Sequence, residues 1–96
     1  MKVYMLTWQA WLNNKSFDRQ TLLNALDRMP EVLNWRAAIG AAFIVSEASQ
    51  EQLTDSLMKQ IPDLRFVFAQ IDMGNIQGWA DKETWDFITN PKKVRH

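Results

Sequence analysis

The chain contains no cysteine. That absence removes disulfides, thiolate metal sites and cysteine nucleophiles. Histidine occurs once, at His96, so a catalytic triad has no imidazole base elsewhere in the chain. Excess charge of either sign is missing too: 11 Lys and Arg balance 11 Asp and Glu. A neutral chain lacks the broad basic surface on which non-specific phosphate binding rests, although a local patch is compatible with it. It also lacks the self-repulsion that keeps copies apart. The three glycines, Gly40, Gly74 and Gly78, fall at turns, so there is no glycine-rich phosphate loop. No apolar run approaches the ~18 residues of a membrane span. Val3-Tyr4-Met5-Leu6 is too short for a signal peptide and has no small-residue cleavage site. The expectation is a cytoplasmic protein with no cofactor and no membrane association.

What is present is enough for one folded unit. With 96 residues and 47% hydrophobic content, the chain falls in the globular class. Residues 1–90 are expected to form a single domain, with 91–96 as a basic tail. A chain of this length buries only about two-thirds of its unfolded surface, so dimerisation would add needed stability.

Lys2 to Trp8 is a short β-forming run and reads as a central strand. Trp11 to Lys15 reads as a loop. Ser16 or Asp18 can cap the helix that follows. Leu22, Leu23, Leu26 and Met29 recur at helical spacing, and Pro30 stops the helix. Val32 to Ile39 alternates as a strand, with Gly40-Ala41 as a turn and Ala42 to Val45 as the return strand. Ser49-Gln50-Glu51-Gln52 is a capping box, followed by Leu53, Leu57 and Ile61 on one helix face and by Pro62. Arg65 to Ile71 is a further strand, and Asp72-Met73-Gly74-Asn75 a turn cluster. Asp81 caps a last helix carrying Trp85, Phe87 and Ile88, which Asn90-Pro91 ends.

This order predicts an α+β fold of the ferredoxin-like βαββαβ type, with two helices on one face of a four-stranded antiparallel sheet and a short C-terminal helix. The other sheet face has no cover unless a second chain or the C-terminal segment supplies it.

Val3-Tyr4-Met5-Leu6-Thr7-Trp8, the Phe17-Asp18 helix entry, Phe43-Ile44-Val45-Ser46 and the Gly78-Trp79…Trp85-Asp86-Phe87-Ile88 ending together resemble the SinR-like small bacterial proteins. (These are not the sporulation regulator of similar name.) That group is similar in fold to the small CRISPR-associated subunit of spacer integration and to related toxin ribonucleases. The resemblance implies a homodimer and a link to mobile elements or defence. For the nucleases among those proteins it implies one metal-binding aspartate per subunit just after the first strand. The usual string in the SinR-like group is Thr-Tyr-Asp-Leu. This chain has Trp8 at the Tyr position and Gln9 at the Asp position. A neutral amide is a poor substitute for a carboxylate on a hard cation.

The weak catalytic candidates are Asp18 and Asp72, and no metal ligand set is assigned. Asp18, Asp72 and Asp81 each stand where a cap or turn wants a short acceptor, and Glu47 closes the return strand. Arg36, Arg65, Lys92, Lys93 and Arg95 are candidate phosphate contacts. Tyr4, Trp8, Trp35, Phe43, Phe66 and Phe68 are strand aromatics that can stack bases or fill a core and an interface. Trp8, Trp35, Trp79 and Trp85 are the candidate interface residues. An acylphosphatase-like loop would need arginine and asparagine after the first strand, and Gln9 to Lys15 has Asn13, Asn14 and Lys15 but no arginine and no glycine.

Three readings follow. The first is a non-enzymatic interaction or accessory protein, homodimeric and able to take a protein partner. The second is a metal-dependent nuclease, and the third a nucleic-acid binder without catalysis. Gln9 favours the first over the second, and the balanced charge favours it over the third.

Overall fold

Leu26 lies one helical turn from Leu22 and Leu23, and in the computed structural model all three are buried. The structure describes residues 1–12, 15–38 and 40–93. Asn13, Asn14, Ile39, Arg95 and His96, named above, lie outside them. The elements are β1 (Lys2–Trp8), β2 (Trp11–Leu12), β3 (Lys15–Ser16), α1 (Arg19–Arg28), β4 (Asn34–Ala38), β5 (Ala41–Ser46), α2 (Gln50–Gln60), β6 (Phe66–Gln70) and α3 (Lys82–Thr89).

Local chemistry sets the helix ends. The Asp18 side chain accepts the Gln20 N–H and begins α1. Ser49 and Gln52 form the reciprocal capping box of α2, which satisfies two otherwise orphaned donors. Asp81 caps α3. Pro30 and Pro62 follow the C-caps Met29 and Ile61, where a residue with no N–H and a fixed φ cannot continue the helix.

The fold is mixed α+β: a four-stranded antiparallel sheet in the order β4-β5-β1-β6, with three helices. Tyr4 sits opposite Ile44 on one side and Gln70 on the other, and Leu6 opposite Ala42 and Phe68. The hairpin β4–β5 pairs Ala38 with Ala41, so Ala41, expected in the turn, already belongs to the return strand. Gly40 has φ +75°, the left-handed backbone that costs glycine nothing. The strand expected over 32–39 is shorter, because the Val32 N–H turns back to the Met29 carbonyl. A two-residue ladder joins β2 and β3 where only a loop was expected.

Side chains alternate across a strand. Tyr4, Leu6, Ala42, Ile44 and Phe68 form one core with Leu22, Leu26, Leu53 and Leu57 from the two long helices. Trp8, Trp35 and Phe66 pack on the margin of that core. Val3, Met5, Phe43, Val45, Val67 and Ala69 occupy the alternate positions and therefore the second face.

The C-terminal segment supplies part of the cover that the second face required. Val3 and Val45 on that face are buried, as are Thr84 and Ile88 of α3. Thr84 and Ile88 are four residues apart and so share one side of the helix. No helix of the described residues is long and apolar enough to cross a membrane.

Two polar contacts fix the end of the sheet that α2 leaves. The Tyr4 hydroxyl donates to the Ala48 carbonyl at 2.6 Å, and burial pushes the Tyr4 phenol above its ordinary pKa. Ser46, fully buried, donates to the Glu31 carbonyl and accepts the Ala48 N–H. Ser46→Ala strands both backbone groups, and a loss of about 1–3 kcal/mol in urea unfolding is expected. A change under a few tenths of a kcal/mol would show that water replaces the hydroxyl.

Candidate interaction surface

The remainder of the second face is an apolar cleft of about 920 Å³. Its floor is made by Met5, Phe43 and three small residues, Ala38, Ala41 and Ala69. Its wall is the 75–81 segment together with Trp85 of α3. The recess exists because alanines alternate with larger side chains on the same face, while α3 stands over the β4 end of the sheet.

Arg36 holds α3 in that place. Its Nη2 donates to Asp81 Oδ2 at 2.9 Å and its Nε to Thr84 Oγ1 at 3.0 Å. Thr84 Oγ1 in turn donates to Asp81 Oδ1, and the Thr84 N–H reaches Asp81 Oδ2. One carboxylate thus serves as helix cap and as partner for the guanidinium. The Thr84 hydroxyl, the Thr84 N–H and the Arg36 charge hold Asp81 down at about 2 against an ordinary 3.8, with desolvation opposing. A lowered pKa means that the folded state favours the charged carboxylate. The contribution is therefore complete above pH 3.8 and is lost as pH falls toward 2. Acid titration followed by the Trp85 indole N–H resonance is expected to show α3 loosening across that interval in wild type. In Asp81→Asn the step should be absent, and an unchanged step would place the acid-sensitive group elsewhere.

The candidate interface tryptophans divide between the two faces. Trp79 is fully exposed on the rim of the cleft, and Trp85 is half-buried in its wall. Trp8 and Trp35 lie on the opposite, helix-covered face. There the Trp35 indole N–H donates to Asp27 at 2.7 Å, which ties β4 to α1.

The candidate phosphate contacts are dispersed. Arg36 is engaged by α3, while Arg65 is exposed just before β6, and Lys92 and Lys93 are exposed beyond α3. Arg95 lies outside the described residues. Of the candidate carboxylates, Asp18 caps α1 and Asp72 accepts the Gly74 N–H of its own turn. Phe17 is bonded to Ala10 beyond the end of β1, whereas Ile71 is bonded to Val3 at its start. Asp18 and Asp72 therefore sit toward opposite ends of a seven-residue strand, a span of about 20 Å. Gln9 is exposed at the end of β1, its N–H on the Arg65 carbonyl at 2.9 Å. Among the described residues no three His, Asp or Glu side chains are grouped so as to hold a metal ion. Glu47 lies within 3.4 Å of the N-terminal ammonium.

Sequence reasoning missed Met5, Ala38, Ala41 and Ala69 as part of this surface. The signal was the odd-numbered set of β1 read together with the alanine pairs on either side of Gly40. Neither protein-family models, curated proteins nor solved structures contain a match to this chain.

Proposed function

We propose that the protein is a non-enzymatic interaction module of ferredoxin-like fold that works as a homodimer. The strand order β4-β5-β1-β6 supports the fold reading. In it the first strand and the strand that closes the hairpin lie in the middle, as two helical crossovers on one face require. The observation that carries the functional reading is the open apolar cleft over Met5, Phe43 and Ala69. It is walled by the aromatic C-terminal segment, and its one buried-edge cation, Arg36, is already paired. Apolar surface with aromatic anchors and few free charges is the composition of protein-binding patches. The resemblance to SinR-like proteins supports a role beside mobile elements or defence, exercised through binding.

The reading predicts no hydrolysis of nucleic acid. Phosphodiester cleavage by metal needs carboxylates to hold the ion against phosphate. Gln9 offers a neutral carbonyl, Asp18 is committed to a helix cap and Asp72 to its own turn, far apart. Purified protein incubated with single- and double-stranded RNA and DNA, with Mg²⁺ or Mn²⁺, is expected to leave every substrate intact. Cleavage that persists in Gln9→Ala and vanishes in Asp18→Asn or Asp72→Asn would overturn the reading. Activity appearing only in Gln9→Asp would show a scaffold that once held such an ion.

A further inference from the structure

The two edges of the sheet differ in what their backbone offers. At the β4 edge, the pairing of Ala38 with Ala41 directs alternate residues of β4 toward β5, leaving Trp35 and Ala37 to face outward. That edge is blunted at Trp35, whose N–H is taken by Asn34 Oδ1 at 2.9 Å. At the β6 edge, Gln9 bonds to Arg65 and Ile71 to Val3, so odd-numbered residues of β6 face β1. Phe66, Phe68 and Gln70 then direct their N–H and C=O groups away from the sheet. Among the described residues no strand lies beyond β6. Open edges of this kind are templates for pairing with another chain.

We infer that β6 is the assembly edge and that its occupant is a second copy of β6, antiparallel about a two-fold axis at Phe68. This rests on the homodimer reading above and names its surface. Two features fit a second copy. The outward groups are symmetric about Phe68, so Phe68 meets Phe68 and Phe66 meets Gln70 of the second copy, in a ladder of about six backbone hydrogen bonds. On the second face the same register sets Val67, 63% exposed in the single chain, directly against Ala69 of the second copy. The two four-stranded sheets become one, and the two clefts lie on the same side of it.

The test is the mass in solution and the amide exchange of wild type and two variants. Wild type is expected to be dimeric at micromolar concentration, with the Phe66, Phe68 and Gln70 amides exchanging at least tenfold more slowly than in dilute monomer. Val67→Lys changes an exposed residue and should fold unaided. It puts an ammonium group against apolar Ala69 and is expected to raise the dimer dissociation constant at least tenfold. Val67→Lys combined with Ala69→Glu places opposite charges across the ladder and is expected to restore the dimer. A wild-type monomer would remove the homodimer reading itself. A wild-type dimer that Val67→Lys leaves intact would retain that reading and overturn the β6 edge. Failure of the double variant to restore association would overturn this register, and with it the proposal.

Discussion

Ile44→Ala is expected to lower the unfolding free energy by about 3–4 kcal/mol, within the range for emptying a buried aliphatic site. Ile44 is fully buried at the middle of β5, with Tyr4 opposite on β1 and Trp35 opposite on β4. It belongs to the one core cluster that β1, β5 and β6 share with α1 and α2. The cavity left by three missing carbons is walled on one side by backbone of a paired strand, which cannot collapse inward. A domain of this size has a total stability of order 5–15 kcal/mol, so the loss is a large share of the whole. Urea unfolding at fixed m-value measures it. A loss under 1 kcal/mol would show that the helices repack over the site and that the core is less specific than the register implies.

The second large effect separates the C-terminal segment from the rest. Ile88 is 4% exposed, yet it is the buried apolar anchor of a helix only eight residues long. A helix that short is marginal alone and holds its shape through packing. Ile88→Ala is expected to remove about 2–3 kcal/mol of docking free energy. The main core does not depend on Ile88, so the expected result is local. The Trp85 indole N–H and the amides of α3 exchange faster, while the melting of β1, β5 and the long helices changes little. A single cooperative transition shifted as a whole would show instead that α3 folds as one unit with the core. Either outcome bears on the cleft, because α3 supplies the Trp85 side of its wall.

The parts of this fold legible in the sequence are those governed by local chemistry. Ser16 or Asp18 announced the first helix start, and Ser49 and Asp81 the other two, because a short side-chain acceptor meets a free backbone N–H within three residues; the structure gives the first cap to Asp18, with Ser16 in β3. Pro30 and Pro62 marked the ends for the converse reason. Leu53 and Leu57 revealed a buried helix face through spacing alone. The division of the sheet into two faces was legible as alternation, but the inner face was not. In Lys2–Trp8 both sets of alternate residues are apolar, Tyr4, Leu6 and Trp8 against Val3 and Met5. Only the placement of α1 and α2 decides between them. Trp8 and Trp35 were thus read with the surface tryptophans although they belong beside the helices. The cleft was illegible for a different reason. It is made by what Ala38, Ala41 and Ala69 lack, and small side chains carry no periodic signal. The engagement of Arg36 by Asp81, 45 residues away in the chain, is likewise a product of the tertiary path.

The most direct test of the central claim is the mass of the wild-type protein in solution. Light scattering or sedimentation equilibrium at micromolar concentration should return twice the 11.2 kDa of the single chain, and the value should fall toward 11.2 kDa on dilution or in Val67→Lys. A single 11.2 kDa species at every concentration would contradict the account, leaving the β6 edge and the apolar cleft as bare features of a monomer.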